Sequence, residues 1–280
     1  MKERDVCDER KPKIVDRKSK FPLIVVVNDD GIRSPGLRAL AQAMTSLGEI
    51  LIVAPRDQQT SMGRAFIGGG VAEPVDFSLD GKRVRAFAVA ASPAMAVRYA
   101  VLICAERCPA LVVSGINYGE NVGNGVTISG TVGAALEAAS MGFPALAASR
   151  VVHTKYHFTH SDEIDFATAA RFVKRFARRI LERGMPRGAD VVNVNVPENA
   201  QTTTPWRWTH MSRKNHYRSV ITPTPRGKTL DTYEMVLDPD PPEPDSDVHA
   251  VLIDQVVSVS LLTLDLTARV SENEKARWGR

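Results

Sequence analysis

The chain has 280 residues, 44% of them hydrophobic and 24% charged, which is enough length and apolar content for one large α/β domain. No apolar stretch approaches the ~18 residues of a membrane span, so no membrane partner is expected. The formal net charge is +4, but residues 1–20 hold eight Lys and Arg against five Asp and Glu; the rest is nearly neutral, which excludes the footprint of a specific nucleic-acid binder.

Residues 1–20 are charged throughout and read as a disordered basic arm without the apolar core of a signal peptide. Cys7, Cys104 and Cys108 suit a reducing, cytoplasmic setting as inert thiols, since two thiols without a nearby His make a poor zinc site. Leu23–Val27 is an aliphatic run without polar alternation, the pattern of a strand buried on both faces. Asn28, Asp29 and Asp30 fall just past its carboxyl end, followed by a glycine turn, with Ser34 and Pro35 suited to start a helix. Leu37, Leu40, Ala41, Met44 and Leu47 share one helical face. Ile50–Ala54 is a second buried strand, and 56–70 is a long polar, glycine-rich loop.

Val84–Ala90 reads as a strand, 93–104 as a helix and Ala110–Ser114 as another buried strand whose loop opens at Gly115. Six glycines lie between 115 and 133, a density that indicates tight turns and close backbone approach to a ligand. A helix ends at Gly142, Ala145–Ser149 is a strand, Val173, Phe176, Ala177, Ile180 and Leu181 stripe a later helix, and Val191–Val196 closes the alternation. Repeated strand–helix units predict an α/β, Rossmann-like three-layer sandwich with a mostly parallel sheet over 21–200. Beyond Pro197 the texture changes, and PDPPEPD at 239–245 is incompatible with a helix interior. Thr232–Leu237 and Val256–Leu262 are expected strands of an extended C-terminal β arm over 201–270, used in oligomerisation because it lacks its own core; 271–280 is a tail.

Three loops then sit at carboxyl ends of strands and offer Asp29, Asp30, Ser61 and Asn117. Carboxylate, amide and hydroxyl oxygens suit one hard divalent cation, Mg²⁺ or Mn²⁺. Ser129, Gly130 and Thr131 precede a helix whose free N–H groups and dipole form an anion site. A cation beside such a helix start is the equipment of phosphoryl transfer. Taken singly, the Asp-Asp-Gly stretch reads equally as a solvent-facing turn, Ser129 as a helix cap, and Asn117 and Ser61 as turn or loop residues; the convergence of three loops favours the site.

VVVNDDGIRSPGLRAL, VAPRDQQTSMGRA, LVVSGINYGENVG, ISGTVGAALEA and VVNVNVP, in this order, resemble the SurE family of survival proteins, and SDVHAVLIDQVVSVSLLTLDLT resembles that family's C-terminal segment. The resemblance covers 21–266 and implies a metal-dependent nucleotidase acting on 5′- and 3′-nucleoside monophosphates. It implies one divalent metal on Asp29, Asp30, Ser61 and Asn117, with Asp29, Asp30 and Asn117 catalytic and Ser129, Gly130 and Thr131 by the phosphate. Dimers or tetramers exchanging C-terminal arms are implied as well. The chain departs from the family pattern where Met62 and Gly63 follow Ser61, at ASPAMAV (91–97), and at Ile128 in place of a common Tyr.

The expected chemistry is phosphomonoester hydrolysis, the metal polarising a phosphoryl oxygen and lowering the pKa of a bound water. No general acid is evident; His210 and His216 are weak candidates. A haloacid-dehalogenase-type phosphatase wants Asp-x-Asp after the first strand, where Asn28 stands, and a dinucleotide-binding oxidoreductase wants a G-x-G-x-x-G that is missing. A non-catalytic nucleotide-binding or stress-assembly protein is the remaining alternative.

Overall fold

The structure, a computed structural model, describes residues 21–279 except 160, 215 and 237–240; the expected basic arm, residue 280 and part of the PDPPEPD run lie outside the described residues. In chain order the strands and helices are β1 (Leu23–Val27), α1 (Pro35–Met44), β2 (Glu49–Pro55), β3 (Gly68–Pro74), β4 (Ser78–Leu79), β5 (Lys82–Arg83), β6 (Arg85–Ala91), α2 (Pro93–Tyr99), β7 (Leu111–Tyr118), α3 (Gly130–Ser140), β8 (Ala145–Arg150), α4 (Ala167–Arg183), β9 (Val191–Val196), β10 (Trp206–Thr209), β11 (Tyr217–Thr224), β12 (Gly227–Met235), β13 (Val257–Leu262) and α5 (Glu272–Trp278).

Nine strands form one sheet in the order β10-β13-β9-β8-β7-β1-β2-β6-β3. The six from β9 to β6 pair in parallel, while β3 and β13 join β6 and β9 antiparallel. All five side chains of β1 and all six of β9 are buried, as a sheet covered on both faces requires. One apolar layer packs Leu37 and Leu40 of α1 and Val173 and Phe176 of α4 against the sheet. The other packs Val97 of α2 and Val132 and Ala135 of α3 against its opposite face. This is the expected three-layer α/β sandwich.

The strand order reverses between β1 and β7: the chain runs outward from β1 through β2, then returns to lay β7 on the other flank of β1. That reversal opens a crevice at the carboxyl ends of β1 and β7, the place where open α/β sheets bind ligands. Ser34 caps α1 with its Oγ accepting from Leu37 N–H, and Pro35 begins the helix, so Asn28–Arg33 is held between two well-anchored elements.

Several boundaries differ from the sequence reading. β7 continues through Ser-Gly-Ile-Asn to Tyr118, its register with β8 shifting between Ser114 and Asn117; Asn117 therefore sits at a strand end and not in a loop. Val257–Leu262, expected in the arm, instead pairs with β9 in the main sheet, because four of its first five side chains are apolar or small enough to be buried there. Trp206–Thr209 pairs with it as an edge strand. The arm proper is the hairpin β11–β12, with Ile221 and Leu230 exposed near its tip, and the tail contains α5. Cys104 is a buried free thiol, while Cys108 is disulfide-bonded, which corrects the expectation of three inert thiols.

Candidate active site

Asp29 and Asp30 are almost fully buried at the end of β1. Asn28 shapes their turn: its amide donates to Gly31 O at 3.0 Å and its Oδ1 accepts from Gly31 N–H at 3.2 Å. Gly31, at φ +94°, takes the left-handed conformation that this turn needs. The two carboxylates then diverge. Asp29 meets α3, accepting from the Thr131 hydroxyl, and its main-chain carbonyl accepts from Gln59 N–H at 2.7 Å. Asp30 accepts from Tyr118 N–H at 3.4 Å and from the Gln58 amide at 3.3 Å.

Burial without a compensating cation penalises both charges. The Asp29 carboxyl is pushed up to about 6 by desolvation, against hydrogen bonds from Thr131 that lower it. Asp30 is raised well above the usual carboxylate range by desolvation and then by the Asp29 charge. Two adjacent buried acceptor groups of this kind fit a divalent cation, which would remove both penalties. Around them stand further oxygens. Asn117 spends its amide N–H groups on Tyr118 O and Gly119 O, which leaves its Oδ1 as the free acceptor.

The second loop brings two hydroxyls to the same cavity, Thr60 and Ser61. Ser61 is exposed and held at φ +61°, a conformation that favours glycine, while Thr60 is half-buried. The sequence motif singles out Ser61 of this pair, and only the backbone geometry distinguishes it from Thr60. Behind this loop, the wholly buried Glu137 of α3 accepts from Arg64 and Arg98, each at 2.7 Å, and so ties the loop and α2 to one helix.

Of the three residues expected by the phosphate, Ser129 lines the cavity and caps α3 through Val132 N–H at 3.1 Å. Thr131 is fully buried with its hydroxyl on Asp29, and Gly130 packs on the same carboxylate. A Cβ at Gly130 would lie 2.8 Å from Asp29 Cβ and 2.9 Å from its Oδ2. Gly130→Ala is therefore expected to displace Asp29 and to weaken divalent-metal affinity by about tenfold or more, the scale seen when groups supporting a ligand are changed. Titration calorimetry with Mn²⁺ measures this; an unaltered affinity would contradict the packing argument.

Sequence reasoning also missed the far wall of the cavity. The space, about 360 Å³, is bounded by Glu120, His157 and Ile128, and by Tyr217, Ser219 and Tyr233 from the hairpin. Tyr233 Oη lies 2.7 Å from His157 Nδ1 and His157 Nε2 lies 3.2 Å from Val152 O. A carbonyl only accepts, so Nε2 carries the proton and Nδ1 accepts from the tyrosine; burial lowers the pKa of this ring and keeps it neutral. His210 and His216 are not among the cavity residues. The glycine-rich segment is pinned from the sheet: Asn193 and Asn195 donate to Asn121 O at 2.9 and 3.1 Å, Asn121 N–H donates to Asn195 Oδ1 at 2.8 Å, and Gly123 N–H donates to Asp247 at 2.9 Å. The NxN of VVNVNVP was the available signal for that anchor.

Comparison with known proteins places this arrangement. A family model described as survival protein SurE matches residues 24–218. A protein named 5′-nucleotidase SurE from Methanothrix thermoacetophila is 42% identical over 90% of this chain and 96% of its own length. One of the same name from Thermococcus kodakarensis is 38% identical over 90% and 96%. The crystal structure of the SurE protein from Aquifex aeolicus superposes with a TM-score of 0.69 at 27% identity, covering 92% of this chain and all of that one. Among the described residues no helix is long and apolar enough to cross a membrane.

Proposed function

Because the chain belongs to the SurE family, we propose that it is a divalent-metal-dependent phosphomonoesterase that hydrolyses nucleoside 5′-monophosphates, and 3′-monophosphates as a second class, to nucleoside and phosphate. The observation that carries this reading is the buried Asp29–Asp30 pair beside the start of α3, at the strand-order reversal. The names of the relatives support the nucleotide substrate, and the cavity is of a size to admit one.

In this reading Asp29, Asp30 and Asn117 Oδ1 hold one Mg²⁺ or Mn²⁺ together with a hydroxyl from the second loop. When bound, the cation supplies Lewis-acid polarisation of the phosphoryl group and a nucleophilic water. The protein's own groups orient the phosphate: Ser129 and the first turn of α3 stabilise its oxygens, and one of the paired carboxylates, Asp29 or Asp30, accepts the proton of the attacking water. Oligomerisation through the C-terminal arm, as homodimer or homotetramer, is part of the same proposal, supported by the exposed Ile221 and Leu230 on the hairpin.

The test is phosphate release from a panel of nucleoside monophosphates with Mn²⁺ or Mg²⁺ against an EDTA control. Release from no nucleotide by the folded, metal-loaded protein would favour a binding protein that has the pocket without turnover. Calorimetric titration with Mn²⁺ separates the two loop hydroxyls. Ser61 is the ligand assigned from the family pattern, while the lower exposure of Thr60 favours Thr60. Thr60→Ala is accordingly expected to cost at least about tenfold in metal affinity and Ser61→Ala less; the reverse order restores Ser61.

A further inference from the structure

We propose that Glu120 is the sugar-reading residue of this site, accepting hydrogen bonds from the ribose hydroxyls of a nucleotide; the inference rests on the nucleotidase reading above. Glu120 is only 6% exposed and lines the cavity. Its Oε1 accepts from the Tyr217 hydroxyl, whereas its Oε2 is buried with no hydrogen-bond partner. Buried polar groups are nearly always paired, and a carboxylate oxygen is among the costliest to leave unpaired. An unpaired acceptor on a residue that lines a cavity gains a partner when the carboxylate turns toward a donor on a ligand.

Placement selects which donor. Tyr118 N–H holds Asp30, and the carbonyl of Gly119 holds the Asn117 amide, so Glu120 follows directly on the residues that orient the metal-binding groups. In a nucleoside monophosphate the sugar is the part bonded to the phosphate, and the base lies one ring further out. We place the sugar beside Glu120, which lines the same cavity as Asp29, Asp30 and Ser129. The base falls toward Tyr217 and Tyr233, whose rings meet edge to face with centroids 5.5 Å apart, a surface suited to stacking on any base. Two vicinal hydroxyls present donors that a carboxylate accepts, and a sugar lacking one presents fewer. Glu120 thus distinguishes ribonucleotides from deoxyribonucleotides while tolerating the base.

The experiment compares kcat/KM for AMP with its 2′-deoxy and 3′-deoxy analogues in metal-loaded wild type, Glu120→Gln and Glu120→Ala, alongside calorimetric binding of adenosine and 2′-deoxyadenosine. Thermal melting verifies that each variant is folded, and the near-isosteric Gln guards against loss of packing by Ala. Wild type is expected to prefer AMP by about tenfold or more, the effect of one hydrogen bond to a charged acceptor. Both substitutions are expected to bring the ratio to within about twofold of unity, with the same collapse in nucleoside binding. A wild type that does not discriminate, or a ratio that survives substitution, overturns the proposal. So does a change in AMP-over-GMP preference with the sugar ratio intact, which would make Glu120 a base reader. If wild type releases phosphate from no nucleotide, the nucleotidase reading falls while the nucleoside-binding comparison still decides Glu120.

Discussion

Asp30→Asn is expected to lower metal-dependent phosphate release by more than about a hundredfold, beyond the usual effect of altering a group that merely supports a metal ligand. Asparagine is nearly isosteric, and its one carbonyl oxygen keeps one of the two contacts, from Tyr118 N–H on Oδ2 or from Gln58 on Oδ1, so the loss reports chiefly the charge, with melting to verify the fold. The same substitution is expected to stabilise the metal-free protein near neutral pH, because it removes one of two adjacent buried carboxylates that repel each other. Opposite signs for activity and metal-free stability are the signature of a residue held for chemistry. Steady-state assays with thermal melting in EDTA measure both, and turnover at the wild-type level would remove Asp30 from the mechanism.

The pH dependence of metal-free stability follows from the same pair, with a sign opposite to that of most carboxylates. The folded Asp29 carboxyl is raised to about 6 from 3.8, so between those values the native state binds more protons than the unfolded chain. Its contribution is fully present below the unfolded value and is lost as the pH rises through about 6. For Asp29 alone that loss is about 3 kcal/mol, and Asp30 shifts in the same direction. Melting of EDTA-treated protein between about pH 4 and 8, read as wild type minus the double variant Asp29→Asn/Asp30→Asn to cancel the other carboxylates, is expected to fall with pH. Excess Mn²⁺ is expected to reverse the fall above pH 6, since a ligand that binds only the native state stabilises it. A difference curve that is flat or rises with pH would show that the pair is solvated or otherwise neutralised.

The sheet was legible wherever a strand is buried on both faces. Leu23–Val27 announces itself as an unbroken aliphatic run and Val191–Val196 as valines alternating with asparagine, and the placement of Asp29 and Asp30 follows once β1 is fixed. Less legible were the elements whose pattern competes with another signal. Gly68–Pro74 lacks the apolar content of a strand and pairs only as an edge. Ser-Gly-Ile-Asn reads as a loop because glycine predominates locally, yet pairing with β8 carries β7 through it. The half of the site that holds the paired carboxylates came from short-range motifs. The opposite wall did not, since Tyr217 and Tyr233 reach the cavity from beyond the core and only the hairpin's long-range contacts with the core bring them to Glu120 and His157.

The cavity thus has two origins in the chain. The groups proposed for hydrolysis stand on strand ends and one helix start, built into the sheet, whereas the tyrosines facing the substrate side come from a two-stranded hairpin outside the nine-stranded sheet. Such a division makes the protein modular in an evolutionary sense: insertions, deletions and substitutions in residues 217–235 can retune which molecules are admitted without disturbing the machinery that breaks the phosphoester. Exchanging this hairpin between relatives is accordingly a direct route to new substrate preferences on an unchanged catalytic frame.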